Sequence, residues 1–88
     1  MTILYKKNGT ISLKIYCSIA IRYPKGYISV FCRKQPILCD LSYCSNHIEF
    51  IFDPRLLPCG TYGIDIFGYN ADIAEKTFLT SETLQILN

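Results

Sequence analysis

Apolar side chains recur at every second position along most of this chain, and the three-to-four spacing of a helix is nearly absent. The clearest run is Ile11, Leu13, Ile15, Cys17 and Ile19, with Ser12, Lys14, Tyr16, Ser18 and Ala20 between them. Neighbouring side chains of a strand point to opposite faces, so this alternation builds strands with one face in a core. The same pattern returns from Tyr27 to Lys34, where Ile28, Val30 and Cys32 face away from Tyr27, Ser29, Phe31 and Arg33. It returns again at His47 to Asp53, with Ile48, Phe50 and Phe52 on one face. In Thr61 to Tyr69, Tyr62, Ile64 and Ile66 oppose Gly63, Asp65 and Phe67.

Turn residues separate these runs. Thr2 to Lys6 reads as a short first strand closed by Asn8-Gly9, the dipeptide that best tolerates the positive φ angles of a tight hairpin. Tyr23-Pro24-Lys25-Gly26 reads as a turn, with Pro fixing φ and Gly supplying freedom. Gln35-Pro36 breaks the next run, Ile37 to Tyr43 is a weaker strand, and Cys44-Ser45-Asn46 is a loop. Asp53-Pro54 ends a strand, and Arg55 to Cys59 forms a corner. Asn70 to Glu75 is polar enough for a loop with room for one helical turn. Lys76 to Thr80 and Thr83 to Leu87 read as a last strand or a broken pair. Six to eight short strands at this spacing predict an all-β sandwich or barrel. With 88 residues and no internal repeat, a single domain over 1–88 is expected.

Composition adds one constraint. Half the residues are hydrophobic, 14% are aromatic and only 18% are charged, against about 25% charge in typical soluble domains. A domain this small buries a limited share of its surface. Some of the apolar surface is therefore expected to be covered by another protein or a second copy. The net charge of +2 lacks the basic stripe of a phosphate-gripping protein, so no nucleic acid partner is expected. Met1-Thr2-Ile3-Leu4-Tyr5-Lys6 has no cationic start, so no signal peptide is expected. No apolar run approaches a membrane span. Five cysteines is an odd count, which fits reduced cysteines used as small hydrophobes.

Few residues suggest chemistry. Cys32, Cys39, Cys44 and His47 are the available zinc ligands. Cys44-x-x-His47 has the spacing of a ligand pair, but Cys32 and Cys39 are too far apart to form the second one. His47 is the single histidine, and no nucleophile elbow or glycine-rich phosphate cradle accompanies it. Asp53, Asp65 and Asp72 form no acidic cluster. No enzyme activity, catalytic residue, metal or cofactor is expected.

The segment Leu57-Pro58-Cys59-Gly60-Thr61-Tyr62, followed by Ile64 and Ile66, resembles the later strands of immunoglobulin-like and fibronectin-type domains. The resemblance implies an immunoglobulin-like antiparallel β-sandwich of about seven strands. It also implies that Tyr62 is the corner tyrosine, whose hydroxyl bonds to backbone a few residues upstream. The tryptophan and inter-sheet cystine of antibody domains have no counterpart. The whole layout is similar to small β-sandwich modules of bacteriophage virions. That likeness implies a structural role in decoration, fibre attachment or a tail adaptor, in a virion or in the cytoplasm of the producing cell.

If the alternating residues above fill the core, the opposite faces carry Tyr16, Tyr27, Phe31, Ile51 and Phe67. These are the candidate protein-contact residues, because clustered large apolar groups are uncommon on a free surface. An alternative is a carbohydrate- or host-surface-binding module in which Tyr23, Tyr43 and Tyr69 stack on sugar rings.

Overall fold

The computed structural model describes residues 2–6, 10–16 and 22–87. The Asn8-Gly9 turn and the expected placements of Cys17, Ser18, Ile19 and Ala20 lie outside these residues. Seven strands follow one another: β1 (Thr2–Lys6), β2 (Ile11–Tyr16), β3 (Lys25–Val30), β4 (Ile37–Tyr43), β5 (His47–Phe52), β6 (Gly60–Asn70) and β7 (Glu75–Leu87). A single 3-10 turn at Pro54–Leu56 is the only helical element among the described residues. No helix among them is long and apolar enough to cross a membrane.

The strands join in the order β1-β7-β6-β3-β4-β5-β2. Strands β2 to β7 pair antiparallel, and β1 is added parallel to β7 at the edge. β4 turns the sheet. Its first residues pair with β3, Ile37 opposite Ile28 and Cys39 opposite Gly26. From Asp40 to Tyr43 it pairs with β5 instead. The sheet thereby curls into a half-barrel around one apolar core.

The alternating residues fill that core as expected. Ile11, Leu13 and Ile15 of β2, Ile28 and Val30 of β3, Ile48, Phe50 and Phe52 of β5, and Ile64 and Ile66 of β6 are buried. Leu84 and Ile86 complete it from β7, and Leu57 from the corner. Tyr62 is half-buried and packs against the same cluster.

One pair of glycines shapes the inside of the curl. Gly26 and Gly68 sit opposite each other on β3 and β6, and both are buried. A Cβ on Gly26 would lie 2.5 Å from Cδ2 of Phe50, and one on Gly68 would lie 2.4 Å from the Tyr23 ring. The two glycines leave a bare stretch of backbone on which these two rings rest.

Some local expectations need correction, and two open ones, the 70–75 loop and the last strand, are settled. Lys25 and Gly26 belong to β3 and not to a turn, because Gly26 is held by backbone pairing on both sides. Cys32 is exposed rather than in the core. β3 stops at Val30, and Arg33 N–H donates to Val30 O at 3.0 Å, closing a tight turn. Cys32 takes the third position of that turn with φ of 65°, the left-handed conformation a type II turn demands there. Residues 71–74 form a turn with no helix; Asp72 N–H donates to Asn70 Oδ1 and Ala74 N–H to Ala71 O. The two terminal segments are one strand of 13 residues. The pairing of β6 with β7 slips between Ile66 and Phe67, where Ile66 faces Thr80 but Phe67 faces Phe78. This bulge at Leu79 reverses which side chains of β7 face outward.

Cys39 does serve as a small core hydrophobe, 1% exposed. Its thiol donates to Ile37 O at 3.7 Å. Burial, helped by the negative charge of Asp40, pushes the thiol up from its ordinary 9.0 to about 12. The unfolded thiol ionises near 9 while the folded one keeps its proton, so the stability linked to Cys39 is complete below pH 9 and is lost as pH rises toward 12. Denaturant midpoints measured across that window are expected to fall, and to fall less steeply in Cys39→Ala.

Candidate functional site

The outer face of the sheet carries a continuous aromatic row. Leu38, Tyr27, Phe67 and Phe78 stand opposite one another on four neighbouring strands, β4, β3, β6 and β7. Cross-strand neighbours of this kind lie close enough for their side chains to touch. Tyr27 and Phe67 meet edge to face with ring centres 5.6 Å apart, and Phe67 and Phe78 do the same at 5.7 Å. Tyr69, two residues beyond Phe67 on β6, also lies 5.4 Å from Tyr27. Such offset contacts add about 0.5–1.5 kcal/mol each beyond area burial.

Charges frame the row. Lys76 Nζ sits 4.8 Å from the Tyr27 ring centre and 4.9 Å from that of Phe67. Lys25 pairs with Asp40 at 2.8 Å. Beyond the row, the Ser81 hydroxyl donates to Asp65 Oδ1 at 2.6 Å. A depression of about 320 Å³ follows, lined by Ser29, Asp65, Ser81, Gly63 and Phe31. Phe78 and Leu38 remain 55% and 58% exposed and Phe31 77% exposed, so the face ends in large apolar groups that the described residues leave uncovered.

The expected contact residues divide into two groups. Tyr27 and Phe67 come together at the centre of the row, and Phe31 projects from the turn at the far end of the same face. Ile51 and Tyr16 stand on the outer face of the other half of the curl, on β5 and β2. Tyr16 leans on His47 there, with ring centres 5.3 Å apart. Phe78, Leu38 and Lys76 join the site without being among the candidates that the sequence supplies. Leu38 follows from the alternation of Ile37, Cys39 and Leu41; Phe78 reaches the outer face only through the bulge at Leu79.

The three tyrosines considered for sugar stacking do not gather on one surface. Tyr69 belongs to the aromatic row. Tyr23 and Tyr43 are half-buried at the rim of the core. The Tyr43 hydroxyl donates to Tyr23 O at 3.0 Å and accepts from Tyr23 N–H, and Arg22 lies 4.8 Å above the Tyr43 ring.

At the corner before β6, the Tyr62 hydroxyl donates to Pro58 O at 2.7 Å. Arg55 grips Asp53 through its side chain and its backbone N–H. Those hydrogen bonds, side chain first, hold the Asp53 carboxyl below its ordinary range.

Of the cysteines considered as metal ligands, Cys39 points into the core and Cys32 stands in the exposed turn. Cys44 and His47 do approach each other across the β4–β5 loop. No protein family, curated protein or solved structure matches this chain.

Proposed function

We propose that this chain is a non-enzymatic assembly protein, a structural component of a bacteriophage virion, which docks through the outer face of β4, β3, β6 and β7. The observation that carries the reading is the row Leu38–Tyr27–Phe67–Phe78: four large apolar side chains in register, two of them more than half exposed. Exposed apolar groups arranged contiguously mark contact sites. The occupant proposed is a second copy of the chain. Lys25 and Lys76 lie on the same face as Asp40 and Asp65, and a twofold contact matches a surface against itself. Both signs of charge around an apolar centre suit that arrangement.

The fold reading that accompanies this is an immunoglobulin-like sandwich. Three features support it: β1 running parallel beside β7, β4 leaving β3 to join β5, and the Tyr62–Pro58 bond at the corner. The sugar-binding alternative has less support, since Tyr43 uses its hydroxyl on Tyr23 backbone. The virion assignment rests on the resemblance noted above. It is tested by purifying particles from a culture that produces the chain and quantifying it by mass spectrometry. The chain is expected to co-sediment with particles in many copies each; recovery only in the particle-free fraction would refute the virion role.

A further inference from the structure

The β4–β5 hairpin holds a second cluster, on the half of the sheet away from the aromatic row. Cys44 lies in its loop, closed by Cys44 N–H donating to His47 O at 2.9 Å. His47 opens β5, and Glu49 follows two residues later, on the same face of the strand. One ligand atom from each of these three residues lies within 4.8 Å of the others. The side chains of His47 and Glu49 are 15% and 27% exposed, so the cluster is sheltered yet open to an ion from solvent.

The imidazole is oriented for a lone pair. Asn46 Oδ1 lies 2.9 Å from His47 Nδ1, a contact that a hydrogen on Nδ1 satisfies. Tyr16 supports the ring from β2. Nε2 is then directed at Glu49 Oε1, 3.3 Å away. Two arrangements satisfy that approach, a direct hydrogen bond or a cation between the nitrogen and the carboxylate, and the separation accommodates either. Tetrahedral zinc with bonds of about 2.0–2.2 Å to nitrogen and oxygen places those two atoms about 3.3–3.5 Å apart. Metal-bound histidines commonly have an oxygen acceptor on the far nitrogen, the place Asn46 Oδ1 takes here.

We propose that Cys44, His47 and Glu49 bind a divalent zinc-class cation, through Sγ, Nε2 and Oε1, with water in the fourth position. The three ligand atoms lie within 4.8 Å of one another, and a tetrahedral site spaces sulfur and nitrogen ligands about 3.6 Å apart, so binding draws the cluster inward. Cys44-x-x-His47 supplies the close pair, and β5 supplies the third ligand where no second Cys/His pair exists.

Titration with Co2+ under reducing conditions tests the site, because a cobalt–thiolate bond gives a near-ultraviolet charge-transfer band. The expected result is one saturable equivalent, displaced by Zn2+. Cys44→Ser is expected to remove the band, and His47→Gln and Glu49→Gln each to weaken affinity about tenfold or more. Circular dichroism of each variant checks that the sheet is retained. A wild-type protein that binds no stoichiometric Co2+ or Zn2+ would overturn the proposal and leave a direct His47–Glu49 hydrogen bond. An undiminished band in folded Cys44→Ser would overturn it equally, by assigning the thiolate to another cysteine.

Discussion

Gly26→Ala is expected to destabilise the protein by about 3 kcal/mol, and most of that loss is expected to vanish when Phe50 is first shortened to Leu. The new Cβ would fall 2.5 and 2.7 Å from two Phe50 ring carbons and 2.8 Å from Leu41 Cδ2. Real Cβ atoms do not approach carbon that closely, so either the ring or the backbone must yield. Neither can do so easily. Phe50 is fully buried, and β3 is pinned on both sides, by Cys39 of β4 and Gly68 of β6. Replacing Phe50 by Leu alone leaves a small gap and is expected to cost about 1.5 kcal/mol. The methyl group introduced at position 26 would then occupy space the ring has vacated. Urea denaturation of the four proteins in this cycle is expected to give a coupling of about 2 kcal/mol, in the range seen for directly touching residues. Gly63→Ala is the control. Its Cβ would meet only the Cβ of Phe31 at 3.9 Å, so this change is expected to be neutral or slightly stabilising.

Tyr43→Phe is expected to cost about 2 kcal/mol, measured by the same denaturation. The lost hydroxyl serves both the N–H and the carbonyl of Tyr23. Removing it strands two backbone groups in a half-buried position, and each such group costs about 1 kcal/mol or more. The tie also sets the chain leading into β3, because it fixes the residue whose ring rests over Gly68. If Tyr43 served mainly as a sugar platform, Tyr43→Phe would keep its ring and change stability little.

The strands that alternate cleanly, β2, β5 and the middle of β6, are legible because a one-sided core leaves a period-two record in the sequence. The hydrogen bond from Tyr62 to Pro58 follows the placement of a tyrosine just after the Pro/Gly corner. Features set by pairing between distant strands are not legible. Gly26 resembles a turn glycine until it is set opposite Gly68. Cys32 keeps the phase of β3 in sequence, but the strand ends two residues earlier. Phe78 reaches the outer face because β7 carries one extra residue where it passes Ile66 and Phe67, and nothing within β7 marks that slip. The candidate site is half visible for the same reason. Tyr27 and Phe67 announce themselves by alternation, whereas Leu38 and Phe78 become their neighbours through register. Glu49 joins His47 by simple alternation along β5, and the β4–β5 loop returns Cys44 to them.

The aromatic row is proposed to be a contact between copies of this chain. Light scattering coupled to size exclusion, run as a dilution series on wild type and on Phe67→Ser/Phe78→Ser, tests it most directly. Wild type is expected to rise from monomer to dimer mass with concentration, and the variant to stay monomeric while keeping the circular dichroism of a folded sheet. A wild type that remains monomeric at the highest concentration, or a folded variant that still dimerises, would contradict it.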